Sequence, residues 1–169
     1  MIANKNILIG LILAALLIVG NWLFLGDAGK RQLPNVTFNT LTGEKITSAN
    51  LKGHPALITF WATDCPGCIA EIPHLIELYN ELSGKGLKMI SVAMHYDPPD
   101  RVLAMTKAKK LPYPVALDPM GKLSTAFYNV QLTPTNFLIA PDGTIALQKI
   151  GEMDMSHVRT RILKMLEEG

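Results

Sequence analysis

The chain predicts an α/β fold. Short apolar runs bounded by turn residues alternate with longer segments of helical period through its middle, and its last part sets a strand pair before a closing amphipathic helix. A long uncharged stretch at the N-terminus stands apart from this pattern. The 169 residues suit one core-forming domain plus that stretch, with residues 1–29 as a membrane anchor with the start of its linker and 33–169 as the folded domain.

The elements follow in order. Residues 7–25 are apolar and uncharged, long enough at about 1.5 Å per residue to cross a hydrocarbon core of roughly 30 Å, with Trp22 placed for the interface. This reads as a single transmembrane helix. A cleaved signal peptide would carry a shorter apolar region and a small-residue cleavage site, which Gly26-Asp27-Ala28 supplies poorly. Residues 26–32 form a short polar linker that holds the domain close to the bilayer. Strands at 36–41 and 45–47 flank Thr42-Gly43-Glu44 as an N-terminal hairpin. A buried strand at 55–61 leads into a helix over 66–82, started by Pro66, with Ile69, Ile72, Ile76 and Tyr79 on one face. A second buried strand covers 87–93, followed by a helix at 101–110, a short strand at 114–117 and a helix at 119–128. Strands at 135–140 and 144–150 meet at Pro141-Asp142-Gly143, and the helix at 155–166 buries Met155, Val158, Ile162 and Met165.

The chemistry is concentrated in the chain's 2 cysteines, which stand three apart in Trp61-Ala62-Thr63-Asp64-Cys65-Pro66-Gly67-Cys68. A strand that delivers Cys65 to a helix N-terminus leaves its sulfur near unpaired backbone N–H groups and the positive end of the helix dipole. Both favour the thiolate, the species that attacks disulfides. A structural zinc site needs about four N/S ligands. No second cysteine pair exists, and His54, His74, His95 and His157 are scattered. A purely structural disulfide across so small a loop would restrain the unfolded chain little. A reversible dithiol remains. Asp64 is placed to cap the helix, while its charge opposes ionisation of Cys65.

Charge narrows the partners. With 16 basic and 14 acidic side chains the formal net charge is +2, and no basic stripe interleaves with aromatics, so nucleic acid is not an expected partner. The cluster Lys107, Lys109 and Lys110 reads as a solvated helix face.

A βαβ unit, a β-hairpin, a terminal helix and Cys-x-x-Cys at the first helix start together resemble the thioredoxin fold. More narrowly, the chain resembles the membrane-anchored TlpA/ResA-type thiol–disulfide oxidoreductases from Leu33 onward. The matching residues are Leu51-Lys52-Gly53, Phe60-Trp61-Ala62-Thr63, Glu71, Pro73, Leu117-Asp118, Thr133-Pro134-Thr135 and Ala140-Pro141-Asp142-Gly143. The resemblance implies a central mixed sheet flanked by helices, with an N-terminal β-hairpin extension and an inserted helix-strand segment. It implies Cys65 and Cys68 as the exchanging pair, and a cis peptide before Pro134. Thr133, Pro134 and Trp61 would meet the substrate. Glu71 would tune the thiols or move protons to and from Cys68. On spacing alone an exposed carboxylate is the simpler reading of Glu71. Thr59 stands where thioredoxin has a buried aspartate, which would leave Glu71 as the nearby acid from the core.

Two departures bear on redox tuning. The family's Cys-x-Pro-Cys is here Cys65-Pro66-Gly67-Cys68, and Asp64 replaces a frequent aromatic residue. The resemblance implies reduction of protein disulfides, and the short N-terminal tail before the apolar run, with a large domain after it, is the layout of a signal-anchor that exports the domain. The chain would be a single-pass protein of the bacterial cytoplasmic membrane, its domain facing the periplasm or cell exterior. Electrons would come from a membrane carrier of the DsbD/CcdA kind. No cofactor and no metal are required. Cytochrome c maturation is a common role in the family, but the acid that many such members carry after the cis-proline is Thr135 here. A disulfide oxidase or isomerase is the alternative activity. A thiol peroxidase would need Pro-x-x-x-Thr-x-x-Cys, and Thr63 is too close to Cys65 for that pattern. A non-catalytic tethered binding domain would not need two cysteines.

Overall fold

The structure, a computed structural model, describes residues 7, 9–17, 20 and 31–168. Residues 9–17 are helical and exposed, and among the described residues no helix is long and apolar enough to cross a membrane. Most of the expected anchor's second half, and residues 26–30 of the linker, lie outside the described residues. The chain divides into two compact units between Arg31 and Gln32. Gln32 was expected in the linker, but it forms an isolated antiparallel bridge with Thr144, and Leu33 donates its N–H to the Gly143 carbonyl at 2.8 Å.

The second unit is built on a five-stranded mixed sheet. In chain order its strands are β3 (Ala56–Trp61), β4 (Lys88–Ala93), β5 (Val115–Leu117), β6 (Thr135–Ile139) and β7 (Ile145–Ile150), arranged β5-β4-β3-β6-β7. The β3, β4 and β5 ladders are parallel, whereas β6 pairs antiparallel with β3 and β7. The small hairpin β1 (Thr37–Asn39) and β2 (Lys45–Thr47) meets the β5 edge through a bridge from Thr40 to Ala116. Such crossovers bury both faces of the central strands, which explains why β3 is an unbroken apolar run but for Thr59.

Alternation along the strands sorts the core into two layers. Ala56, Ile58 and Phe60 of β3 face one side with Phe38, Phe127 and Phe137. Ring centroids in that aromatic group lie 5.2–6.1 Å apart, within the range of favourable tilted and edge-on contacts. Leu57 faces the other side, against Leu75, Leu78 and Leu82 of α1 (Pro66–Leu82) and Val158 and Ile162 of α4 (Met155–Glu167). The stripe on α1 is therefore rotated from the expected one. Cys68, Glu71, Ile72, Leu75, Leu78 and Leu82 are buried, while Ile69, Ile76 and Tyr79 form its half-buried flank. The i, i+3, i+4 apolar pattern admitted both stripes, and the buried carboxylate hid the true one. Likewise on α4 only Val158 and Ile162 are buried, with Met155 and Met165 half-buried.

Two helices differ in extent. α2 (Pro99–Ala108) starts earlier than expected because Pro99 fits its first turn, and it ends before Lys110, whose φ of 52° is left-handed. α3 (Lys122–Ala126) is shorter than 119–128. Asp118 holds its start by accepting the N–H groups of Leu123 and Ser124 at 2.9 and 2.8 Å, and the positive φ of Tyr128 and Asn129 prevents its continuation.

Candidate active site

β3 ends at Trp61, and the next residues turn sharply into α1. Cys65 is the N-cap of that helix: its φ and ψ are extended and its Sγ accepts the Cys68 N–H at 3.2 Å. Asp64, expected as a cap, is exposed one residue too early. Pro66 occupies the first turn, where no N–H is needed, and Pro73 lies within the continuous helix. Cys65 and Cys68 are joined as a disulfide with their Cα atoms 5.3 Å apart. Cys65 is 9% exposed and Cys68 3%, so the first sulfur is the more accessible.

The turn is clamped from the side by a residue that the sequence reading missed. Asp97, in the β4 to α2 loop, accepts the Thr63 N–H at 2.7 Å and the Thr63 hydroxyl at 2.6 Å. It is itself buried, so Glu71 is not the sole acid near the site. Its signal was an acid before Pro98-Pro99 in the loop that follows a buried strand.

On the opposite side, the Thr133–Pro134 peptide is cis. Thr133 is half-buried and Pro134 buried, and the Pro134 carbonyl accepts the Gly151 N–H at 2.8 Å. A Cβ placed on Gly67 would lie 3.6 Å from Pro134 Cδ and 3.1 Å from Glu152 Oε1, so these two residues overhang the dipeptide between the cysteines. Glu152 carries no sequence signal, since it stands in an irregular segment between β7 and α4.

Trp61, expected to meet substrate, is 3% exposed and packs in the cluster with Cys65, Cys68, Ala93, Val102 and Val115. As an odd-numbered residue of β3 it points into the α1 layer, beneath the dithiol rather than beside it. Its indole Nε1 has no hydrogen-bond partner.

Glu71 departs from the exposed reading. It is 3% exposed, its Oε1 accepts the Met153 backbone N–H at 2.6 Å, and its Oε2 faces Asn136 Nδ2 at 3.4 Å. Burial raises its pKa above the ordinary 4.5, and Glu152 adds to this, while the bonds from Met153 and Asn136 and the nearby His74 act against it. One helical turn separates this carboxyl from Cys68. A small cavity behind Cys68 is lined also by Thr59, Ser91 and Tyr113 and by the apolar Ile72, Leu75 and Leu111. Tyr113 is pushed well above the ordinary tyrosine range by burial, so its hydroxyl stays protonated.

Such a site can cycle between dithiol and disulfide with an accessible first sulfur, a sheltered second one and a buried carboxyl nearby. Among the described residues, no group of three or more His, Cys, Asp or Glu side chains is placed to hold a metal ion.

Comparison with known proteins agrees. The AhpC/TSA family model matches residues 30–148. The thiol-disulfide oxidoreductase ResA of Bacillus thuringiensis (strain Al Hakam) is 34% identical over 147 residues, covering 84% of this chain and 83% of its own. The sporulation thiol-disulfide oxidoreductase A of Bacillus subtilis (strain 168) is 30% identical over 122 residues, 71% of this chain and 73% of its own. Among solved structures, StoA from Bacillus subtilis superposes with a TM-score of 0.66 at 29% identity, covering 77% of this chain and 98% of that one.

Fold and site thus define an enzyme of the thioredoxin-like class, a thiol–disulfide oxidoreductase. The chain belongs to the AhpC/TSA family and is of the TlpA/ResA type.

Proposed function

We propose that the protein reduces protein disulfides by dithiol exchange on the outer face of the bacterial cytoplasmic membrane. The observation that carries this reading is the Cys65 and Cys68 pair at the start of α1, with the more exposed sulfur at the N-cap and the Pro134 loop across from it. In the reduced enzyme the Cys65 thiolate attacks one sulfur of a client disulfide. A mixed disulfide forms, and the other client sulfur leaves as a thiolate. Cys68, deprotonated, attacks Cys65 Sγ and displaces the second client sulfur. Two electrons and two protons reach the client in all. Thr133 and Pro134 offer an extended backbone against which a client segment docks. Glu71 serves as the proton partner of Cys68.

The location rests on the uncharged run at 7–25, which fits an anchor with an exported domain. In an oxidising compartment the enzyme needs re-reduction, and a membrane dithiol carrier of the DsbD/CcdA kind suits a domain held near the bilayer. Thr135 is 2% exposed and donates its hydroxyl to the Leu132 carbonyl at 2.7 Å, so it adds no charge to the client-facing side. This favours protein disulfides at large over a client set confined to cytochrome c maturation.

The test is trapping with Cys68→Ser in cells. Mixed disulfides on Cys65 that disappear on addition of reductant are expected, and the trapped clients are identified by mass. No trapped partner among exported proteins contradicts the exchange mechanism.

A further inference from the structure

The layer beneath α1 carries a row of polar side chains where an apolar core is expected. Thr59 of β3 is directly paired with Ser91 of β4 on one side and with Asn136 of β6 on the other. Paired positions point to the same face of a sheet, and these three share the face of Leu57 and Leu138, which is the α1 face. Glu71 of α1 stands over the Asn136 end. Tyr113, hydrogen-bonded to Ser91, closes the other. All five are at most 4% exposed. Burying so much polarity in so small a volume is costly unless the groups are paired.

Asn136 is the informative member. Its Nδ2 lies 3.4 Å from Glu71 Oε2 and 3.5 Å from the Gly151 carbonyl, both long contacts, while its Oδ1 is buried without any partner. Orphaned buried acceptors are rare in folded proteins. An amide presents a donor and an acceptor of nearly the same shape. Against an ionised Glu71 the donor side is the right one. Against a protonated Glu71 a half-turn of the amide sets Oδ1 to accept the new O–H. As it stands the donor faces the carboxyl, so Asn136 favours the ionised form, and the half-turn lets the same side chain still partner the protonated one.

We propose that Asn136 is the positioning residue that lets Glu71 take up and release the proton of Cys68. The inference rests on the reading of Glu71 given above. During resolution Cys68 passes its thiol proton to the Glu71 carboxylate. The sulfur electron pair then forms the bond to Cys65 Sγ, the bond from Cys65 to the client breaks, and the client thiolate takes a proton from water. When an external dithiol later reduces the pair, Glu71 returns its proton to Cys68. The other titratable groups that act on Glu71 are Glu152 from the segment before α4, His74 on its own helix and Tyr113 from beside β5, with Cys68 one helical turn away on the same helix.

The experiment follows the Glu71 carboxyl by carbon-13 NMR through a pH titration of the full-length reduced chain, its signal assigned by its loss in Glu71→Gln. Alongside it runs the pH profile of reduction of a disulfide-bonded client protein such as insulin. Asn136→Leu is expected to move the Glu71 midpoint upward and to carry the activity profile with it. In the Glu71→Gln background the same substitution is expected to leave the profile where Glu71→Gln alone puts it. Asn136→Ala supplies the same readout should the leucine variant fold poorly. A Glu71 midpoint unmoved by either substitution overturns the proposal, and so does a profile shift that persists without Glu71. Separately, a Glu71→Gln profile identical to the parent's removes the proton-partner reading itself.

Discussion

Met153 donates its backbone N–H to the buried Glu71 carboxylate at 2.6 Å, across 82 residues of chain. That contact ties the segment before α4 to the active-site helix. It also gives a carboxylate sealed from water one strong, charge-assisted partner. Burial favours the neutral carboxyl, and this bond favours the ionised one.

The pH dependence of stability follows from that balance. A carboxyl whose folded pKa lies above its unfolded value binds more protons when folded, so its contribution to stability is fully present below about the ordinary 4.5 and is lost as pH rises through the folded value. Glu71→Gln removes this loss. Melting curves of the oxidised chain across that window should show the parent losing stability relative to Glu71→Gln as pH increases. Parallel curves would mean that Glu71 ionises as it does in the unfolded chain.

Asp97 should matter to the turn more than to the core. Asp97→Ala leaves the Thr63 N–H and hydroxyl without their acceptor, and losing such partners typically costs about 1–3 kcal/mol. Urea denaturation is expected to report a loss of that size. Client reduction should slow as well, because the residues leading into Cys65 are no longer held. Asp97→Asn, which keeps one carbonyl acceptor, should recover part of both.

Gly67 is a close-approach position. In Gly67→Ala the new Cβ would sit 3.1 Å from Glu152 Oε1, a flexible exposed side chain that can swing aside, and 3.6 Å from Pro134 Cδ. Alanine also suits the first turn of a helix better than glycine. The global stability should therefore change by less than about 1 kcal/mol. Reduction of a protein disulfide is expected to slow several-fold, while reduction of a small aromatic disulfide proceeds at the parent rate. Equal slowing of both would show that Gly67 affects the sulfurs rather than client docking.

Trp61 should behave as a packing residue. It is buried under the dithiol among small and apolar side chains, and replacing a buried aromatic by alanine typically costs about 3–5 kcal/mol. Trp61→Ala is expected to lower the denaturation midpoint accordingly. Trp61→Phe, which also removes the unpartnered indole N–H, should retain both fold and activity. Loss of client binding in Trp61→Phe with unchanged stability would restore a substrate-facing role.

Local signals made much of this legible in the residues. Pro66 after a strand marked the start of α1, and its helical spacing reached Leu82, where the helix ends. Pro141-Asp142-Gly143 marked the β6 to β7 turn, where Gly143 takes a φ of 86° and Asp142 accepts the Thr144 N–H at 2.8 Å. What escaped was set by contacts across the sheet. The face that α1 buries depends on a carboxylate whose partner arrives from Met153, and hydropathy cannot show a polar residue turned inward. Asp97 and Asn136 were equally hidden, because each acts on a residue dozens of positions away. Trp61 was misplaced because its family resemblance outweighed strand alternation, which already aims it below the dithiol.

The reduction potential of the Cys65 and Cys68 pair tests the central claim most directly. Equilibrating the full-length chain against glutathione redox buffers, with the dithiol fraction read by thiol alkylation and mass, yields that value. A reductase of protein disulfides predicts a potential near the thioredoxin regime of about −270 mV. A value near about −120 mV, the regime of a strong disulfide donor, would contradict it and assign the chain to oxidation instead.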